Sequence, residues 1–372
     1  MAASSLFDTV RDVGKKKKTL KLKQGESKNS SELAEARSFR KLKSSYYLII
    51  CVLIGLGIGY LLGYYSHNAS EIANVLNPLR IDGNYKYISP LLACDTEIEL
   101  ESDKTKGLES KIGDYVDFTK SHGDIKTMSV YVRDYNGGNV VNYNPDTTYN
   151  QASLSKVPVM IKILETASKD PGYLSKTFVY SAAEDFNQGM DIKPSKFLIP
   201  GNQYTIEDAL KMMIEYSDNN ATYYLMNSLD QNTYNNIYKD LNISPPTSTQ
   251  IENYLDFRTA KEYSYFLRVL YNATYLDRAG SEKAIELLTN SDYKNGLRAG
   301  LPENVAVAHK FGYLTHLVDG AFERELHDCG IVYKDGNKPY LICVMTKSNA
   351  SLEKQEASIA AVSKLVHEGL GK

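Results

Sequence analysis

Ser153 and Lys156 stand three residues apart in the run QASLSKVPV. On a helix, positions i and i+3 share a face, so the side-chain nitrogen of Lys156 can reach the hydroxyl of Ser153. A serine alone is a poor nucleophile. An adjacent amine whose pKa is lowered by burial or by a second cation can accept its proton and activate it. Ser155 directly precedes the lysine and points off that face. The SxxK spacing arises often by chance, and its weight here comes from two further runs. Ser217-Asp218-Asn219 falls where a predicted helix gives way to a polar turn, and Lys310-Phe311-Gly312 falls on a predicted strand. Each also has a plain structural reading. SDN suits the N-cap of a helix beginning NATYYLM, and the lysine suits an edge strand.

In this order, and set on a helix start, an interhelix loop and a strand, the three runs resemble the motif set of the class A serine β-lactamases and the related penicillin-binding proteins. The resemblance covers about residues 105–372. VYVRDYNGGNVVNYNPDTTYNQASLSKVPV looks like the strand, hairpin and helix that open that domain, GLRAGLPENVAVAHKFG like the approach to its third motif, and HDCGIVYKDGNKPYLICVMT like its closing hairpin. It implies an α+β fold, an antiparallel β-sheet packed with helices, and an active-site serine that forms an acyl-enzyme with β-lactams or related D-amino-acid amides. By the same resemblance Ser153 is the acylated nucleophile, and Lys156 its general base or the relay to it. Ser217 passes a proton to the leaving nitrogen, Asn219 holds Lys156 and the substrate amide, and Lys310 binds a substrate carboxylate and polarises Ser217. The backbone N–H groups of Ser153 and Tyr313 form the oxyanion hole, and Phe311 and Gly312 line the substrate. These side chains need no metal and no cofactor.

The sequence departs from the family in two places. The third motif ordinarily carries Thr or Ser at its middle, a hydroxyl that binds the substrate carboxylate, where this chain has Phe311. Losing one hydrogen bond to a charged group weakens binding by about 1.5–3 kcal/mol without abolishing chemistry. Either the carboxylate leans on Lys310 alone or the substrate is different. Class A β-lactamases also use a glutamate in an ExxLN loop to drive water onto the acyl-enzyme, and the nearest string is Glu252-Asn253-Tyr254-Leu255-Asp256. Glu252 is thus a candidate deacylating base, with a solvated loop carboxylate as the alternative. Without such a base the acyl-enzyme lasts, and the protein behaves as a D,D-carboxypeptidase or transpeptidase. A competing reading from another class is a catalytically idle module that binds cell-wall peptides, encouraged by Phe311 and weakened by the survival of the other motif residues.

The elements that must position these groups are legible from periodicity. YKYISPLLACD suggests a strand near 85–95, Leu108–Phe118 an amphipathic helix, and MSVYVRDYNGGNVVNYN a β-hairpin. Val157, Met160, Ile161 and Leu164 recur at helical spacing after Ser153. A second helix opens at the capping sequence Thr205–Asp208, and Tyr263, Phe266, Leu267 and Leu270 mark a third. VAVAHKFGY, CGIVY and KPYLICVMT read as strands, and a helix facing inward at Ile359, Val362 and Val366 closes the chain. Strands, then helices, then strands, then a helix imply one antiparallel sheet covered by helices and not alternating βαβ units.

The N-terminal part is of another kind. YYLIICVLIGLGIGYLLGYY, residues 46–65, carries no charge, and as a helix it rises about 30 Å, the thickness of a bilayer core. Tyrosines at both ends and Arg37, Arg40, Lys41 and Lys43 before it fit a signal anchor. The expected organisation is a basic cytoplasmic tail at 1–45, a single membrane span at 46–65, a linker with a leading strand at 66–104, and an extracytoplasmic catalytic domain at 105–372. Gly55, Gly59 and Gly63 could seat a second helix, though glycine is common in such spans and dimerisation is not favoured. The tail, with 12 basic and 5 acidic residues, reads as an orientation signal more than a lipid contact. The remainder holds 31 basic and 40 acidic residues, which gives no basis for nucleic-acid binding.

Four cysteines with no CxxC pair, and no HExxH run, argue against a structural zinc site. Outside the membrane Cys94, Cys329 and Cys343 can oxidise. Cys329 and Cys343 are equidistant from Gly336 and are candidate cross-strand neighbours, the Cys94 strand is a candidate neighbour of both, and the pairing stays open. His309 and His327 flank the same strands; His327 is read as a satisfied strand-edge histidine in preference to a cleft residue. Beyond the expected span lie five NxS/T sites, at Asn68, Asn220, Asn242, Asn272 and Asn349, one of them beside Asn219, where a glycan would obstruct the cleft. This fits a bacterial host that leaves them bare.

Overall fold

The computed structural model describes residues 46–47, 49–64, 80–81, 83–92, 102–135, 138–181, 183–318, 320–334 and 338–370. The chain divides into a unit of residues 1–75 and a unit of residues 76–372. In the first, residues 46–47 and α1 (49–64) are helical, with Ile49, Val52, Leu53 and Leu56 exposed. A 16-residue helix rises about 24 Å. Among the described residues no helix is long and apolar enough to cross a membrane. Residues 48 and 65 of the expected span, the basic tail and Cys94 lie outside the described residues.

The second unit contains, in order, α2 (Asp103–Ser121), β1 (Thr127–Asp134), β2 (Val140–Tyr143), α3 (Lys156–Lys169), β3 (Thr177–Val179), β4 (Gln203–Thr205), α4 (Ile206–Glu215), α5 (Asn219–Ser228), α6 (Gln231–Asp240), α7 (Ser248–Glu252), α8 (Ala260–Tyr271), α9 (Arg278–Thr289), β5 (Ala306–Val318), β6 (Ala321–Lys334), β7 (Lys338–Ser348) and α10 (Leu352–Gly369). Five strands form one antiparallel sheet in the order β2-β1-β7-β6-β5, and β3 pairs with β4 apart from it. This is the α+β architecture expected from the sequence.

Side chains alternate across a strand, and both faces of this sheet are covered. On β7, Leu341, Cys343 and Met345 join the core shared with α3, α4, α8 and α9. Ile342 and Val344 join the opposite core, with Ile112 and Val116 of α2 and Ile359, Val362 and Val366 of α10. The run LICVM is therefore continuously apolar because it is buried on both sides. Helix α3 is buried along its first half, where Val157, Val159, Met160, Ile161 and Ile163 have no solvent exposure. Burial along all faces of this first half, Lys156 and Lys162 included, makes α3 a rigid anchor for the Ser153–Lys156 pair.

Two expectations need correction. Over the described residues 83–92 there is no strand, only an isolated bridge between Arg80 and Leu91. The N–H groups of Lys86, Tyr87 and Ile88 instead donate to the carboxylate of Glu282, so they cannot enter a ladder. His327 lies on β6, between β5 and β7, and not at a sheet edge. The open disulfide question also resolves: Cys329 and Cys343 are directly opposite on β6 and β7 and are bonded.

Candidate active site

Ser153, the candidate nucleophile, sits on a turn held by contacts before and after it. A 3-10 turn, Ala152–Ser155, delivers Ser153 to the start of α3. Before it, Asn150 donates its N–H to Glu325 Oε2 (3.0 Å), accepts from His327 Nε2 (2.8 Å), and offers its own Oδ1 to the N–H of Ala152 (2.9 Å). His327 is fully buried behind the turn, its Nδ1 accepting from the Thr346 N–H, and it does not line the cleft. After the serine, Leu154 O accepts from Tyr263 OH (3.1 Å). Ala152 is held at φ 45°, a left-handed conformation costly for a residue with a Cβ, and the clamps on either side explain how it persists.

Strand β5 approaches this turn backbone to backbone at Gly312. A Cβ there would stand 2.7 Å from Gln151 O and 3.1 Å from Leu154 N. The glycine lets β5 carry Lys310 and Tyr313 up to the serine turn.

Lys156 Nζ lies 2.6 Å from Ser153 Oγ and 2.7 Å from Asn219 Oδ1. The amine is buried, which lowers its pKa from 10.5 to about 7 against the opposing pull of Asp218. Asn219 is itself oriented: its N–H donates to Asn187 Oδ1 (2.8 Å) and its Nδ2 to Phe186 O (3.0 Å). Asp218 has no exposure. It caps α5 through the N–H groups of Asn220 and Ala221 and also accepts from Asn187 Nδ2 and the Leu198 N–H. Asp218 thus supplies the cap of the structural reading of SDN, while its neighbours Asn219 and Ser217 contact Lys156 and Lys310. Ser217, at φ 60°, points to the strand side, where Lys310 Nζ donates to its Oγ (2.9 Å).

Lys310 is fully buried. Its Nζ also donates to Phe311 O (2.8 Å) and stands 4.0 Å from the centroid of the Phe311 ring. Burial holds its pKa well below the usual lysine range, with the charge of Lys156 adding to the effect. Phe311 stacks on Tyr293, centroids 4.2 Å apart, and is nearly buried.

A cleft of about 500 Å³ opens over Ser153, Lys156 and Asn219, bounded by Tyr234, Tyr254, Phe257 and Tyr313. None of the described residues lining it is an aspartate or glutamate. Glu252 ends α7 exposed, while Ser248, Ile251 and Tyr254 supply that side of the lining. Asn220 is buried and bonded to Asp185 and Leu198, so its amide is not offered to a glycan. Asn187, Phe186 and Met190 escaped the sequence reading. They lie in an irregular stretch, and only the amide at 187 hinted at a polar role.

A serine bonded to a buried lysine of lowered pKa, and a second serine bonded to a second lysine, form an acyl-transfer constellation on an antiparallel sheet covered by helices. No curated protein matches the chain. Solved structures do. PBP-A is 16% identical over 73% of this chain and 97% of its own, with TM-score 0.58. The class A beta-lactamase from Mycobacterium abscessus is 20% identical over 71% of this chain and 100% of its own, with TM-score 0.58. TLA-1 extended spectrum beta-lactamase is 20% identical over 73% and 100%, with TM-score 0.62. At such identities the likeness is one of fold. The model of the beta-lactamase enzyme family matches residues 107–370, the whole stretch that carries the three motifs, and the chain belongs to that family.

Proposed function

We propose that this protein is a membrane-anchored serine hydrolase that forms an acyl-enzyme at Ser153 with β-lactams or peptidoglycan-derived D-amino-acid amides. The observation that carries the reading is the 2.6 Å contact between Ser153 Oγ and a buried Lys156 whose pKa is lowered to about 7. As the free amine, Lys156 takes the Ser153 proton while Oγ bonds to the substrate carbonyl carbon. The carbonyl oxygen becomes an oxyanion facing the N–H groups of Ser153 and Tyr313. The C–N bond then breaks as Ser217 hands its proton to the leaving nitrogen, and the proton held by Lys156 restores Ser217. Attack of water on the ester releases the acid and regenerates Ser153. One solved neighbour, a mutant of PBP-A, was captured as an acyl-enzyme complex with penicillin G, and its likeness to this chain (17% identity over 74% of this chain and 98% of its own, TM-score 0.59) supports the choice of probe.

Of the two outcomes for the acyl-enzyme, the cleft favours the long-lived one, as in a penicillin-binding D,D-peptidase. The lining free of carboxylates and the exposed position of Glu252 leave, among the described residues of the cleft, no carboxylate to direct water. The uncharged run at 46–65 and the basic residues before it support an anchor with its N-terminus in the cytoplasm and residues 66–372 outside. Intact-mass spectrometry of the full-length protein after addition of penicillin G tests both points. A mass increase lost in Ser153→Ala is expected, with a lifetime unchanged in Glu252→Gln. No adduct and no loss of penicillin sinks the β-lactam reading, and rapid turnover that falls in Glu252→Gln restores a deacylating β-lactamase.

A further inference from the structure

The resemblance gives Lys310 a substrate carboxylate to bind, and the geometry around it does not leave room for that task. Its Nζ donates to Ser217 Oγ at 2.9 Å and to Phe311 O at 2.8 Å, and the Phe311 ring centroid lies 4.0 Å away. Two oxygens of the protein engage the Nζ, and the Phe311 ring stands against it. The side chain has no exposure to solvent.

The ring is itself fixed. Phe311 stacks on Tyr293, whose OH donates to Glu356 Oε1 (2.9 Å), and Glu356 also accepts from Asn295 Nδ2 (2.8 Å). Swinging the ring aside to uncover Lys310 would break this stack. Phe311 and Tyr293 also line a second cavity, of about 590 Å³. Five carboxylates, Asp191 and Glu356 among them, line it against two lysines. An anion held near Phe311 would thus meet a ring where relatives offer a hydroxyl, a lysine already bonded, and a field of negative sign.

We propose that Phe311 is a specificity-determining residue that turns this site toward acyl donors bearing an uncharged group, an ester or a carboxamide, where relatives accept a carboxylate. The inference rests on the acyl-enzyme reading above and sharpens its substrate class. Lys310 then serves Ser217 alone: it holds the hydroxyl that protonates the leaving nitrogen.

Penicillin G and its methyl ester differ by this one charge. Their second-order acylation rates, read by intact mass on the full-length protein, give a ratio for the wild type and for Phe311→Thr, with a fluorophosphonate as a charge-independent label of Ser153. The ester is expected to acylate the wild type faster than the acid. Phe311→Thr is expected to shift the ratio toward the acid by about tenfold or more, the factor for one hydrogen bond to a charged group. A wild type that reacts faster with the acid overturns the proposal, and so does a ratio that Phe311→Thr leaves unchanged. The wild-type ratio decides even if the variant does not fold. Fluorophosphonate labelling without reaction of either penicillin overturns this specificity while sparing the nucleophile, whereas failure of all three reagents overturns the acyl-enzyme reading with it.

Discussion

Two lysines approach the reaction centre from different parts of the fold, one at the start of α3 and one in the middle of β5. Both are buried and both have a lowered pKa, yet their surroundings differ. Lys156 lines the cleft and touches the nucleophile, and Asn219 holds it from behind. Lys310 stands against the Phe311 ring and donates to the second serine and to a carbonyl. The same residue type thus does two jobs, set by access and not by charge. Burial removes the cost of keeping an amine neutral, and the opening to the cleft decides whether that amine can exchange protons with a substrate-bound serine.

The largest test of this contrast removes each amine in turn. Lys156→Met should lower the acylation rate by about 10²–10⁴-fold, the range for a general base, while Lys310→Met should cost about tenfold through the lost bond to Ser217. Stopped-flow acylation of both variants would break the comparison if the two losses were equal.

The second test concerns support. Cys329 is the cross-strand partner of Lys310, so the Cys329–Cys343 bond, between cysteines separated by 14 positions in sequence, braces the strand side. Replacing both with alanine should lower stability by about 3 kcal/mol in urea unfolding. Local opening by hydrogen exchange should rise on β6 and β7 more than on α3. Equal loosening of α3 would show that the two sides are not separately supported.

The smallest effect is in pH. Acylation should rise about tenfold per unit as pH approaches about 7 and then level off, as Lys156 loses its proton. Lys310→Met should leave that midpoint in place, because burial sets it. A midpoint displaced by more than a unit would mean that the lysines titrate together. The stability sign follows from the same value. The folded pKa lies below the ordinary 10.5, so this group's contribution is complete above about 10.5 and is lost as pH falls through about 7. Urea unfolding at pH 7 and pH 9 should give the higher stability at pH 9 from this group.

The reach of the sequence can be judged element by element. The strands at β5, β6 and β7 were legible because long apolar runs bounded by Gly and Lys leave few alternatives, and the capping box at Thr205–Asp208 marked α4 correctly. Ser153 and Lys156 meet as their spacing implied, and Ser217, Asn219 and Lys310 join them as the resemblance implied. What stayed hidden depends on long-range partners. The tyrosines near residue 85 alternate like a strand, but Glu282 far along the chain takes their backbone donors. Asn187 looks like any loop amide until the fold places it between Asp218 and Asn219. Phe311 was readable as a departure, but its stack on Tyr293 and its cover over Lys310 were not, since neither follows from local pattern.

Gly312 has a bearing on how this site can drift. The proposed oxyanion donors belong to the main chain, so replacing the Tyr313 side chain deletes neither of them. One residue earlier no side chain is tolerated without pushing β5 away from the serine turn. Variation around the nucleophile is therefore channelled: neighbours that present side chains to the cleft are free to retune what is bound, while the point where two backbones touch is closed to change.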